Sequence, residues 1–280
     1  MKLSRRQFLC SAGAATVAAA GTGLYTWRVE PYWLEIVSRQ LPVRGLPSTL
    51  AGRTLAQISD VHVGPRVDDD YVLSVFRRVA ALRPDIVVLT GDLVSHHERV
   101  FEQMVGIYRH FPKGRLATVG IPGNHDYGPA WSHPEIADRV VAIAQQCGIV
   151  MLRNGVHDVE GLQIVGLDDL WAKRFEPAEA FAGYDARRPA IALSHNPDTV
   201  DLPVWEQYEG WILAGHTHGG QCKAPFLPPP LLPVRNRRYT QGEFSLGGNR
   251  SLYISRGVGH LLPVRMNVRP EVTLFELRPA

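Results

Sequence analysis

Five short segments of the chain concentrate side chains able to bind cations. They are Asp60-Val61-His62, Gly91-Asp92, Gly123-Asn124-His125-Asp126, Ser194-His195-Asn196-Pro197 and Gly215-His216-Thr217-His218. The i, i+2 spacing of Asp60/His62 and of His216/His218 puts both members of a pair on one side of an extended segment, so each pair can meet a shared centre. Asp60, Asp92, Asn124, His62, His195, His216 and His218 together offer two carboxylates, one amide and four imidazoles, too many ligands for one tetrahedral ion. Nitrogen and oxygen donors without thiolate point to Zn, Fe or Mn rather than to Ca or Mg. The expected solution is a binuclear site with one bridging carboxylate. Two metals about 3.5–4 Å apart can hold a bridging hydroxide as nucleophile and clamp the oxygens of a phosphoryl group during in-line displacement.

Such a site needs a scaffold that brings remote segments together. Each segment follows a short apolar run: Thr54 to Ser59, Asp85 to Thr90, Leu116 to Ile121, Ala190 to Leu193 and Trp211 to Ala214, with further runs at Leu162 to Leu167, Leu252 to Ser255 and Val272 to Leu277. Strands buried on both faces read this way, and ligands in open α/β sheets gather beyond the carboxyl ends of strands. Helical periodicity covers Tyr71 to Leu82 behind Asp68 to Asp70, and Glu98 to His110. Ser132-His133-Pro134-Glu135 reads as a capping box with an early proline. Strand and helix alternate in the first half and strands dominate the second, which predicts one layered α/β sandwich without an interdomain linker. The segment Glu30 to Leu50 is apolar and aromatic enough to pack as an edge strand.

The formal charge is +3, from 30 Lys plus Arg against 27 Asp plus Glu. Lys2, Arg5 and Arg6, with no acid among the first twenty residues, account for the whole excess, so the body of the chain is neutral. The four lysines (Lys2, Lys113, Lys173 and Lys223) do not make a polybasic surface, and a nucleic-acid partner is not expected. The opening Ser4-Arg5-Arg6-Gln7-Phe8-Leu9, followed by an Ala/Gly/Thr-rich stretch to Tyr25, resembles a twin-arginine export signal. Ala18-Ala19-Ala20 would serve as its cleavage site. Retention as an uncleaved anchor stays open, since Phe8 to Trp27 is nearly long enough to span a bilayer. Residues 1–30 are therefore expected to be a signal or anchor and residues 31–280 a single domain. Cys147 reads as a small buried hydrophobe and a Cys147–Cys222 disulfide is not expected.

Taken in order, the motifs D-x-H, GD, GNHD, a lone His and GHTH resemble those of the calcineurin-like metallophosphoesterases. SDVHVG, GLDDLW, SHNPD, GHTHGGQ, the Arg237-Arg238-Tyr239 loop, SRGVG and the final RPEVTLFEL narrow the resemblance to twin-arginine-exported bacterial phosphodiesterases of the YaeI and YkuE type. The resemblance implies a four-layer αββα sandwich, with two mixed sheets flanked by helices, and a phosphodiesterase with a phosphomonoesterase as the alternative. It implies that Asp60, His62, Asp92 and His218 hold one metal and Asp92, Asn124, His195 and His216 the other, with Asp92 as bridge. His125 would be the non-ligand imidazole that protonates the leaving alkoxide. A non-catalytic envelope metal-binding protein is the rival outside enzymes, and a non-ligand acid at His125 argues against it. The expected partners are a small-molecule or lipid-linked phosphodiester and, during export, the twin-arginine translocase. A monomer in the periplasm or on the outer face of the cytoplasmic membrane follows.

Other residues carry weaker expectations. Arg237, Arg238 and Arg256 are candidates to bind substrate phosphate as bidentate donors. Asp168 and Asp169 could orient a metal-bound histidine or cap a turn, and His260 could line the cleft. His96, His97, His110, His133 and His157 lack a partner pattern and read as surface residues. In the Pro225 to Pro233 loop, Phe226, Leu227, Leu231 and Leu232 either form an apolar rim or pack on the core, and packing is the plainer expectation.

Overall fold

The computed structural model describes residues 4–95, 97 and 99–280. Its strands form two six-stranded sheets. The first runs, edge to edge, β1 (Glu35–Val43), β12 (Glu271–Pro279), β2 (Thr54–Ile58), β3 (Ile86–Thr90), β4 (Ala117–Ile121) and β5 (Val150–Met151). The second runs β10 (Gly242–Gly247), β11 (Arg250–Ile254), β9 (Gly210–Ala214), β8 (Ala190–Leu193), β7 (Leu162–Gly166) and β6 (Gly155–Val159). Both are mixed: β2 to β5 are parallel while β12 opposes β2, and β7, β8, β9 and β11 are parallel between antiparallel outer strands. The stretch after Glu30 does supply an edge strand, β1.

The unbroken apolar runs follow from burial on both faces. In β3, Val87 and Leu89 point into the core beneath the helices, while Ile86 and Val88 point into the core between the sheets. Three helices cover the outer face of the first sheet: α2 (Asp69–Leu82), α3 (Val100–Tyr108) and α4 (Pro134–Gln146). The Asp68 carboxylate accepts the Tyr71 amide and caps α2, which buries Tyr71, Val72, Val75, Phe76 and Val79. The start expected for α3 at Glu98, like His96, lies outside the described residues. α4 keeps its early proline, but the expected capping box does not form. His133 stands at the cap without a side-chain hydrogen bond to a helix amide, its imidazole meeting the Glu135 carboxylate instead, and Ser132 turns back to the Pro129 carbonyl.

The outer layer of the second sheet is thin, made of the six-residue α5 (Pro177–Ala182) and a loop that buries Trp205 and Tyr208. Four layers result, two mixed sheets between helical coverings. The edge elements β5, β6 and β10 and the short α5 have no counterpart among the apolar runs, being two residues long or half-exposed.

The N-terminal segment forms α1 (Arg5–Arg28), begun by a capping box in which the Ser4 hydroxyl accepts from Gln7. Within it only Thr26 is buried, and it is long and apolar enough to cross a membrane. All three cysteines are free. The Pro225 to Pro233 loop does not tuck its apolar side chains inward: Phe226, Leu227 and Leu231 are exposed. Its backbone is braced by the Arg237 guanidinium, which donates to the Pro229 carbonyl; prolines occupy five of its nine positions, and of the intervening side chains only Leu232 is half-buried.

Candidate metal centre

β2, β3 and β4 of one sheet and β8 and β9 of the other end on a common edge, and the five chemistry-bearing segments leave from those ends. Asp60, His62 and Asp92 have φ of 52°, His216 71° and His218 48°. Left-handed backbone outside glycine costs roughly 1–3 kcal/mol per residue, at the low end for Asp and His. Five such residues, gathered from the loops after β2, β3 and β9, mark backbone held for its side chains. Gly123 and Gly215 permit the close approach of these turns, since a Cβ at either would collide with Asp92 or Asp60 respectively.

Two triads result. Asp60, His62 and His218 bring one donor atom each within 4.8 Å of one another, as do Asp92, His195 and His216. Asp92 joins them, its Oδ2 lying 3.5 Å from His62 Nε2 and 3.2 Å from His195 Nε2. Across each triad ring nitrogens face each other, His62 Nε2 to His218 Nε2 at 3.1 Å and His216 Nδ1 to His195 Nε2 at 3.3 Å.

The other ring nitrogens fix the tautomers. His195 Nδ1 meets the Thr90 carbonyl at 2.8 Å and His216 Nε2 meets the Pro233 carbonyl at 2.7 Å. A carbonyl only accepts, so both nitrogens carry hydrogen, and in the neutral rings His195 Nε2 and His216 Nδ1 turn lone pairs toward the centre. His62 Nδ1 is placed against Ser95 Oγ at 3.0 Å. Asn124 is fully buried, and neither its Oδ1 nor its Nδ2 has a hydrogen-bond partner among the described residues. An unsatisfied buried amide costs about 1–3 kcal/mol, which a cation at Oδ1 would relieve.

Electrostatics agree with the geometry. Burial lowers His62 and His216 to about 3 and holds His218 well below its ordinary value, so these imidazoles are neutral at physiological pH. Burial would raise Asp92, but His195 and His125 hold it well below the usual carboxylate range. Burial raises Asp60 to about 7, against the opposing pull of His195. Burial alone would lower His195, yet the carboxylate of Asp92, with a hydrogen bond to it, carries it to about 10. His62, His216 and His218 are thus neutral donors beside two close-set carboxylates, while His195 is held protonated by Asp92 and would give up that proton on binding a cation, so the donor set fits a pair of metal ions.

The remaining parts hold the cluster. Ser59 Oγ donates to Asp60 Oδ2 at 2.6 Å, and the His216 amide donates to both Asp60 oxygens at 3.0 and 3.1 Å. The His125 amide donates to Asp92 Oδ1 at 2.9 Å, while its half-buried ring stands outside both triads, edge-on to His62 at 5.1 Å. Asp126 accepts the Gly123 and Val94 amides at 2.8 and 3.0 Å.

The residues with weaker expectations make contacts within the protein. Arg256 is ion-paired to Glu271 and to Glu35, which leaves its guanidinium engaged within the protein. Arg237 donates to the Pro229 carbonyl, and Arg238 reaches the Ser245 carbonyl at 3.5 Å. Asp168 takes the Tyr127 hydroxyl and Arg153 rather than an imidazole, and Asp169 Oδ1 caps the turn at Ala172. His260 is fully buried against Tyr32, with Nε2 on the Arg66 carbonyl, rather than lining the cleft.

Three residues escaped the sequence reading. Trp171 lies edge-on to His216 at 4.4 Å and stacks at a tilt on Trp131 at 4.6 Å. They border a cavity of about 620 Å³ that also touches Lys173, Asp198 and Arg235. Trp171 closes the GLDDLW segment noted for its acids, whereas Trp131, at φ 56°, had no local signal. Arg265 was also missed. It is fully buried, donates to the carbonyls of Gly257 and Gly259, and stands 3.5 Å from His218 Nδ1.

A sheet edge with two adjacent histidine–carboxylate triads, one aspartate of the second lying 3.5 Å from a histidine of the first, fits a metal-dependent phosphoesterase. Residues 53–220 match the Calcineurin-like phosphoesterase family, and the chain belongs to it. It is a hydrolase. The chain is 31% identical to phosphodiesterase YaeI of Escherichia coli (strain K12), over 98% of this chain and 99% of the relative. It is 31% identical to the metallophosphoesterase YkuE of Bacillus subtilis (strain 168), over 99% and 98%. UDP-2,3-diacylglucosamine pyrophosphatase LpxG of Chlamydia trachomatis is 28% identical over 95% and 96%.

Proposed function

We propose that the chain is an exported phosphodiesterase working with two divalent metal ions, Mn, Zn or Fe, and that residues 31–280 form its catalytic domain. The observation that carries the reading is Asp92, whose Oδ2 faces an imidazole nitrogen of each triad at 3.5 and 3.2 Å. Asp60, His62, Asp92 and His218 would hold one ion, and Asp92, Asn124, His195 and His216 the other. When bound, such ions supply Lewis-acid stabilisation of a phosphoryl group and lower the pKa of the attacking water. The chain's own groups do the rest. Thr90 and Pro233 keep His195 and His216 in the tautomers whose lone pairs point inward. His125 holds a proton at the mouth of the cluster for the departing alkoxide, and Trp131 and Trp171 wall one side of the approach.

The substrate proposed is an envelope phosphodiester with a lipid or lipid-linked part. Two observations support this class: the likeness to a UDP-2,3-diacylglucosamine pyrophosphatase, a name that denotes a lipid-linked substrate, and the exposed Phe226, Leu227 and Leu231 in the loop that ends at Pro233, against His216. Export by the twin-arginine route rests on Arg5 and Arg6 opening the apolar α1, so an Arg5→Lys/Arg6→Lys chain should remain in the cytoplasm on fractionation. Unchanged export would remove that part of the reading.

Chelator-stripped protein assayed on bis(4-nitrophenyl) phosphate and on 4-nitrophenyl phosphate tests the reaction. Activity should vanish on stripping, return with Mn or Zn, and favour the diester. Full activity without metal contradicts the proposal, and a preference for the monoester replaces it with a phosphomonoesterase.

A further inference from the structure

The apolar loop, the end of α1 and the candidate metal centre are linked by short connections. The Arg265 amide donates to the Thr26 carbonyl at 2.9 Å, and the Val268 amide to the buried Glu30 carboxylate at 2.7 Å, fixing the inner end of α1 to the segment 265–268. That segment pairs with 221–223 through Lys223 N to Met266 O and Met266 N to Gln221 O, both 2.9 Å. From Lys223 the chain enters the Pro225 to Pro233 loop, which returns at His216. One face of the molecule therefore carries the exit of α1, the loop and the site.

That face has the chemistry of an interface with lipid. Phe226 is 103% exposed, Leu231 76% and, on the adjoining segment, Leu262 58%. Exposed Tyr25, Trp27 and Trp33 surround the inner end of α1, with Arg28 over the Trp27 ring and Arg269 over the Trp33 ring. Amphipathic aromatics and arginines at the end of an apolar helix are the pattern of a membrane–water boundary. Charge points the same way: residues 219–242 contain Lys223, Arg235, Arg237 and Arg238 and no acid, and Arg269 stands beside them, Arg256 and Arg265 being ion-paired or buried within the protein. Exposed apolar tips ringed by cations suit the surface of an anionic bilayer.

We infer that the folded domain docks on the lipid surface through Phe226, Leu227, Leu231 and Leu262, with the metal centre opening at the headgroup level beside α1. This deepens the proposed function: it rests on that reading's lipid or lipid-linked phosphodiester as substrate, and takes α1 as retained in the lipid. A phosphoester held in the bilayer would then reach the site without leaving it, the loop between α1 and His216 lying in the headgroup layer.

The test uses the full chain in vesicles of phosphatidylcholine and phosphatidylglycerol, with an environment-sensitive NBD label on Phe226→Cys after Cys10, Cys147 and Cys222 are changed to Ser. A matching chain carries the label at Glu206→Cys, at the opposite end of the sheets among Arg44, Arg187 and Glu209. The label at 226 should shift to the blue and be quenched by lipids doxyl-labelled near the headgroup, and the label at 206 should stay water-like. A water-like label at 226 overturns the proposal. So does a blue shift that grows with protein density without doxyl quenching, which would assign the face to a second copy. Hydrogen exchange of the unmodified chain in nanodiscs is a second reading: amides of 226–227, 231–232 and 261–262 should slow relative to a Phe226→Asp/Leu231→Asp chain, and equal exchange overturns docking. Hydrolysis of a soluble aryl diester by the same samples reports on the phosphodiesterase reading alone, so failure of one is told from failure of the other.

Discussion

Asp85 and Asp92 stand at opposite ends of β3, both buried, and the chain treats them in opposite ways. Asp85, with a side chain 4% exposed, receives Arg115 at 2.6 Å, Arg53 at 3.3 Å and the Thr54 amide at 2.9 Å. Asp92, 2% exposed, is faced by two imidazole nitrogens and the His125 amide, and among the described residues no Lys or Arg pairs with it or with Asp60. A buried charge must be compensated. At the amino end of the strand the chain brings its own guanidinium groups. At the carboxyl end it brings lone pairs, an amide with no partner and a second carboxylate, an arrangement that calls for cations from outside.

The largest expected effect separates the two ends. Asp92→Asn should lose metal and at least about 10³-fold in kcat on an aryl diester, because the shared ligand of both ions is gone. Asp85→Asn should keep both metal and turnover. Loss of activity in both, with metal retained in both, would erase the distinction. His125→Ala sharpens it further, since a proton donor that is no ligand should cost about 10²–10⁴-fold in kcat with metal content unchanged.

Stability should show the inverse order. Asp85→Asn should lower the free energy of unfolding by about 1–3 kcal/mol in urea at fixed Mn, since it leaves two arginines and a buried amide short of a partner. Burial opposes ionisation at Asp85, but the hydrogen bonds from Thr54 and the charge of Arg115 win and lower its pKa. A depressed carboxylate contributes stability that is present above its unfolded pKa of about 3.9 and is lost as pH falls through the folded value. The gap between wild type and Asp85→Asn should therefore be full at neutral pH and close on acidification below about pH 4. A constant gap would contradict the assignment. The smallest effect is expected for Trp171→Ala, a few-fold rise in KM with metal content intact, read from steady-state kinetics.

The same contrast explains what the sequence disclosed. Strands β2, β3, β4, β8 and β9 were legible because both faces are buried, and Asp60, His62, Asp92, Asn124, His195, His216 and His218 because side chains of that type follow such runs. The pairing of Arg256 with Glu35, 221 positions away, is set by tertiary packing that no local pattern carries. Trp131 follows Gly128-Pro129-Ala130 on left-handed backbone and looks like any turn residue. The Pro-rich loop was expected to pack inward because apolar composition predicts burial on average. Its outward face goes instead with proline stiffness and with the anchoring of its backbone by Arg237.

Metal content per chain tests the central claim most directly. After equilibration with Mn and removal of excess, elemental analysis should find about two ions in wild type and in Asp85→Asn, and fewer than about one in Asp92→Asn. Equal occupancy in Asp92→Asn and wild type, or no bound metal in wild type, would contradict the account.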